Sequence, residues 1–164
     1  MKTKMMMLML ALVSWRAYAQ HDSKKMDQNM AMFKDAKLGA AYEHYAHLKD
    51  ALVASKSDEA KKTATELQKA LTSVSSGKNA SEEAGKVAAT SNLEEQRKAF
   101  SGLSNEMATL VKNGKLSMGN IYMDYCPMAN NNEGAYWLSN EKQIKNPYFG
   151  DAMLKCGSVK ETIQ

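Results

Sequence analysis

The chain has 164 residues, 44% of them hydrophobic and 24% charged, with 22 lysines and arginines against 18 acids for a net charge of +4. Nine glycines and two prolines exclude collagen-like, proline-rich and low-complexity classes. The basic excess sits largely at the start of the chain, so it does not argue for a nucleic-acid partner.

Lys2 and Lys4 form a positive n-region, Met5 to Val13 a short apolar run, and Ala17-Tyr18-Ala19 a small-x-small cleavage site. This predicts a signal peptide over 1–19 and one mature domain over 20–164, periplasmic or secreted. Loss of Lys2, Lys4 and Arg16 leaves 19 bases against 18 acids (22 less three), close to neutral. The apolar run is shorter than the roughly 20 residues that span a bilayer, so no membrane span is expected after cleavage.

Beyond the cut, apolar residues step by three and four through Met26, Met30, Phe33, Ala41, Tyr45, Leu48 and Leu52, with an interruption at Lys37. That spacing predicts one helical stripe. Ser55-Lys56-Ser57-Asp58 offers a break and a new cap. Ala60, Ala64, Leu67, Leu71 and Val74 then predict a second helix. Lys78 to Thr90 is small and polar, with Gly85 inside, and reads as a loop or a short helix. Ser91-Asn92-Leu93-Glu94 fits a capping box with Ser91 as cap. Leu93, Phe100, Leu103, Met107, Leu110 and Val111 predict a third long helix closed at Gly114. Ile121 to Cys126 alternates with period two and predicts a short strand. The fold class that follows is mainly α, an antiparallel bundle of three to four helices. A C-terminal irregular or short-β segment, 121–163, carries both cysteines and several aromatics.

The chemistry-bearing residues concentrate in that segment. Cys126 has Met128 beside it, and Cys156 has Met153. Two readings stay open. In one, an exported protein closes a Cys126–Cys156 disulfide over about 31 residues, worth about 3.7 kcal/mol on the chain-entropy model. In the other, two thiolates and two thioethers surround a soft ion, Cu(I) or Ag(I), which polarisable sulfur selects over hard cations. His44 and His47, three apart on the first helix, form a weaker metal pair, with two surface histidines as the plain alternative. Met26, Met30 and Met32 cluster near the mature N-terminus. There His21 would stand second, an amine–amide–imidazole arrangement suited to Cu(II); core packing and an ordinary tail are the plain alternatives. No G-x-S-x-G elbow, H-E-x-x-H pair, phosphate loop or dinucleotide fingerprint is present, so no enzymatic activity is expected.

The runs Tyr125-Cys126-Pro127-Met128-Ala129, Gly134-Ala135-Tyr136-Trp137-Leu138-Ser139, Ile144 to Asp151 and Met153-Leu154-Lys155-Cys156-Gly157 are distinctive. With Leu48 to Val53 and Arg97-Lys98-Ala99-Phe100, they resemble a bacterial exported domain family of unassigned function. The similarity runs from about Tyr42 to Ile163. Other members form the C-terminal module of adaptor subunits in copper/silver-type heavy-metal efflux systems. The resemblance implies copper or silver handling by association, and efflux components as partners. Cys126, Met128, Met153 and Cys156 match its motif. Trp137, Pro147, Tyr148 and Phe149 match too, and are expected to form the packing frame that holds the two sulfur pairs together.

Overall fold

The structure, a computed structural model, describes residues 31–164. The signal segment 1–19, His21, Met26 and Met30 lie outside the described residues. The order is strand β1 (Met32–Phe33), helices α1 (Ala36–Val53), α2 (Ser57–Leu71), α3 (Lys78–Ala88) and α4 (Leu93–Asn113), then strands β2 (Leu116–Met118) and β3 (Ile121–Cys126). A one-turn α5 (Ala129–Asn132), strand β4 (Ala135–Ser139), a 3-10 turn (Gly150–Met153) and strand β5 (Ser158–Ile163) complete it. The chain is therefore mainly helical with a C-terminal sheet. Each long helix packs on the next, and α4 also packs on β4.

The stripes of the sequence become the buried faces. Ala60, Ala64, Leu67 and Leu71 of α2 are fully buried, as are Phe100, Leu103, Met107 and Val111 of α4. Residues 78–88 are helical. Their inward face is Ala80, Ala84 and Val87, and such small side chains leave a weak amphipathic signal.

Three local readings are corrected. Phe33 does not join the first helix: it pairs with Leu116 in a two-stranded ribbon, β1–β2. Helix α1 starts at Ala36, capped by the Asp35 carboxylate, which accepts from the Lys37 N–H at 2.9 Å. Second, the chain breaks before Ser57 as expected, but Lys56 stands at the cap position with no side-chain bond. Third, Asn92 rather than Ser91 caps α4, its amide oxygen accepting from the N–H groups of Glu94 and Glu95 at 2.9 and 3.1 Å. Thr90 explains the shift, since its hydroxyl takes the Asn92 N–H and donates to Glu95.

The sheet has order β4-β3-β5, all antiparallel. Strand β3 is regular against β4, but its register against β5 slips between Met123 and Asp124. A bulge of this kind displaces the side-chain alternation. Ile121 faces inward, and so do Asp124 and Cys126, although period two would put Ile121 on the other side. Tyr45 of α1 pins this sheet to the helices. Its hydroxyl accepts from the Leu138 N–H of β4 at 3.0 Å and shares a 2.8 Å hydrogen bond with Ser104 of α4. Burial raises its pKa further above the phenol range. Aromatic rings run from Phe33 through Tyr42, Tyr45, Phe100 and Tyr148 to Trp137, with successive centroids 5.3 to 6.0 Å apart.

Candidate functional site

Strand pairing brings the two cysteines together. Ser158, which opens β5, lies opposite Tyr125 of β3, so the residues just before β5 run past the end of β3. There Cys126 Sγ and Cys156 Sγ stand 2.6 Å apart, one thiol donating to the other. Both are free thiols in this structure, not a disulfide. Cys126 is buried and Cys156 half-buried. The hydrogen bond with Cys126, reinforced by burial, pushes the Cys156 thiol up to about 11. A metal arriving at this pair has a proton to displace there.

Asn146 holds the second cysteine in place. Its side chain is fully buried; its Nδ2 donates to the Cys156 carbonyl at 2.8 Å and its Oδ1 accepts from the Tyr148 N–H at 2.8 Å. Its own N–H donates to the Leu154 carbonyl. Tyr148, its pKa raised well above the phenol range by burial, donates its hydroxyl to the Tyr136 carbonyl of β4 at 2.6 Å. Trp137 is fully buried, and its ring meets that of Tyr148 edge-on at 6.0 Å. Gly157, at φ +137, lies under the indole: a Cβ there would come within 2.8 Å of Trp137 Cη2. Along the loop that leads from β4 to Cys156, Pro147 and Tyr148 are buried and Phe149 is half-buried, and the buried Trp137 of β4 packs against Tyr148. Arg97 of α4 anchors the same loop, donating through Nε to the Pro147 carbonyl and through Nη2 to the Leu52 carbonyl and Ser55 Oγ.

Met128 is 46% exposed, and Met153 is half-buried. Both line a groove of about 740 Å³ between the start of α4 and the turn after β3, together with Glu94, Arg97, Lys98 and Tyr148. Neither cysteine lines that groove. Met128 and Met153 thus share a groove that the touching thiols do not line. His44 Nδ1 lies 3.7 Å from Glu66 of α2, and His47 is exposed. Among the described residues no group of three or more His, Cys, Asp or Glu side chains gathers as metal ligands would.

Sequence reasoning placed Tyr45 in the helical stripe but missed its hydrogen-bonding role, that of Asn146, and a buried acid. Asp124 of β3 is fully buried opposite Trp137, and neither carboxylate oxygen has a hydrogen-bond partner. Burial raises it to about 7, against the pull of the Lys49 charge from α1. Lys49 is itself buried and pairs with Asp50 at 2.7 Å. The signal in the sequence was a lone acid inside a strand otherwise apolar or aromatic, where acids are depleted.

Residues 41–119 match the model of a family described as a protein of unknown function (DUF3347). The matched span covers most of α1 and continues through β2, and it ends before β3, so both cysteines fall outside it. No curated protein and no solved structure matches the chain.

Proposed function

We propose that this is an exported, periplasmic, non-enzymatic protein that captures and hands over a soft metal ion, Cu(I) or Ag(I), in the service of a heavy-metal efflux system. On this reading the four long helices form an antiparallel bundle that presents the sheet end. The observation that carries the proposal is the Cys126–Cys156 contact at 2.6 Å, made by residues thirty positions apart. Thiolate sulfur is the donor that Cu(I) and Ag(I) prefer. Metal–thiolate distances of about 2.3 Å place two sulfurs on one ion about 4 Å apart, so loading spreads the pair. Cys126 is held in β3, and Cys156 sits on a half-exposed loop, so Cys156 is the side that moves. Met128 and Met153 supply thioether donors nearby in sequence, suited to weak coordination and release. Because the thiols must ionise, affinity rises with pH.

A second reading has its own support. The same 2.6 Å contact leaves the thiols placed for oxidation to a Cys126–Cys156 staple in a structural or protein-binding module, as an exporting compartment favours. Thiol counting on the unfolded mature protein separates the two. Two free thiols as isolated support the carrier, whereas none before reduction and two after it support the staple. Cu(I) is then titrated against a competing chelator in reductant. The carrier reading expects Cys126→Ser to lose at least 100-fold in affinity, and Met128→Leu and Met153→Leu about 3- to 10-fold. If all three variants hold copper like the parent, the ligand set is wrong.

A further inference from the structure

Among the described residues, three large apolar side chains are exposed, and all three are methionine: Met32 at 48%, Met118 at 66% and Met128 at 46%. An ordinary docking patch draws on Leu, Ile and Phe as readily as on Met. Here every described Leu, Ile, Val and Phe is buried or half-buried. The large apolar side chains that the described surface shows to solvent are thioethers.

Two of the three form a pair. Met32 of β1 and Met118 of β2 are antiparallel partners on the two-stranded ribbon, which is separate from the β4-β3-β5 sheet; the register slips by one residue, at Ser117, between this pair and Phe33–Leu116. Directly opposed residues project from the same face with Cβ atoms about 4.5–5.5 Å apart. Two thioether arms rooted at that spacing are long and flexible enough to reach a common point above the ribbon. Neither strand carries a carboxylate or a histidine, and the ribbon is flanked by Lys34 and Lys115, whose backbones bond at 2.9 Å. The strands themselves offer no hard oxygen or imidazole donor side chain beyond the Ser117 hydroxyl. A d10 monovalent ion accepts two soft donors without needing a negative ligand.

We propose that Met32 and Met118 form a two-thioether site for Cu(I) or Ag(I), distinct from the Cys126–Cys156 pair and independent of it. Thioethers carry no proton, so this site binds equally in acid and at neutrality, whereas thiolate binding weakens as pH falls. It also keeps its donors when the two cysteines oxidise to a disulfide.

The test uses the full mature chain carrying Cys126→Ser and Cys156→Ser, so that thiols play no part. Its methionine methyl groups are labelled with carbon-13, and silver nitrate is titrated in chloride-free buffer at pH 5 and pH 7.5. The Met32 and Met118 methyl signals, assigned from Met32→Leu and Met118→Leu, are expected to shift along one isotherm. Its midpoint is expected to agree within twofold at the two pH values. Met32→Leu keeps the apolar surface and removes one sulfur, and is expected to weaken the Met118 response at least tenfold. The proposal is overturned if neither signal moves, or if Met118 responds as strongly in Met32→Leu as in its parent. It is also overturned if the two signals shift with protein concentration in the absence of silver, the mark of self-association. Failure of the cysteine site would appear in the chelator titration of the thiol-intact chain and leaves this result untouched.

Discussion

Asp124→Asn offers a direct probe of the buried face of β3 opposite Trp137. Asp124 has no solvent and no hydrogen-bond partner, and two nearby donors, Tyr42 Oη and Trp137 Nε1, are also unpartnered. Desolvation favours the neutral acid, which lifts the group from 3.8 to about 7, with Lys49 working in the opposite direction. The folded protein therefore keeps this proton up to about pH 7, while the unfolded chain releases it near pH 4. Below pH 4 both states are protonated and the group does not alter stability. Between pH 4 and 7 the native state binds more protons, so stability falls as pH rises, and above 7 the loss is complete. A difference of about three units corresponds to at most about 4 kcal/mol. Asn keeps the shape and cannot ionise, so the variant lacks this slope. Urea unfolding followed by circular dichroism at pH 4, 5.5, 7 and 8 measures it, and the difference between parent and variant cancels the other titrating groups. Asp124→Asn is expected to gain about 2–4 kcal/mol relative to the parent between pH 4 and pH 8. Parallel stability curves for the two proteins would refute the assignment of a neutral buried acid.

Two further substitutions test the pins around the site. Asn146→Ala removes the partners of the Cys156 carbonyl and the Tyr148 N–H, and is expected to cost about 2–4 kcal/mol in urea. It is also expected to speed the reaction of Cys156 with a thiol reagent in the native protein; unchanged stability and reactivity would mean that Asn146 does not hold the loop. Tyr45→Phe strands the Ser104 hydroxyl and the Leu138 N–H in the interior, with an expected loss of about 2–3 kcal/mol. A cost below about 0.5 kcal/mol would show that the sheet is not fastened to α1 through this hydroxyl.

Elements built on large side chains at regular spacing were legible from the chain alone. The stripes of α2 and α4 and the strand Ile121–Cys126 needed only periodicity, because burial of one face is what such spacing achieves. Helix α3 was ambiguous because its buried face is two alanines and a valine. The ribbon β1–β2 escaped notice because Phe33 fits a helical stripe equally well, and its real partner, Leu116, lies more than eighty residues away. The bulge at Met123/Asp124, which puts Ile121 on the same buried side as Asp124 and Cys126, was not legible for a similar reason: register is a property of two strands.

The same division holds for the candidate site. Residue types told which atoms are soft donors, since that chemistry is carried within each side chain. The meeting of Cys126 with Cys156, the groove shared by Met128 and Met153 and the burial of Asp124 came from strand pairing and from the packing of helices over the sheet. Contacts between distant positions are set by the free energy of the whole packed core, and no local pattern along a chain encodes them.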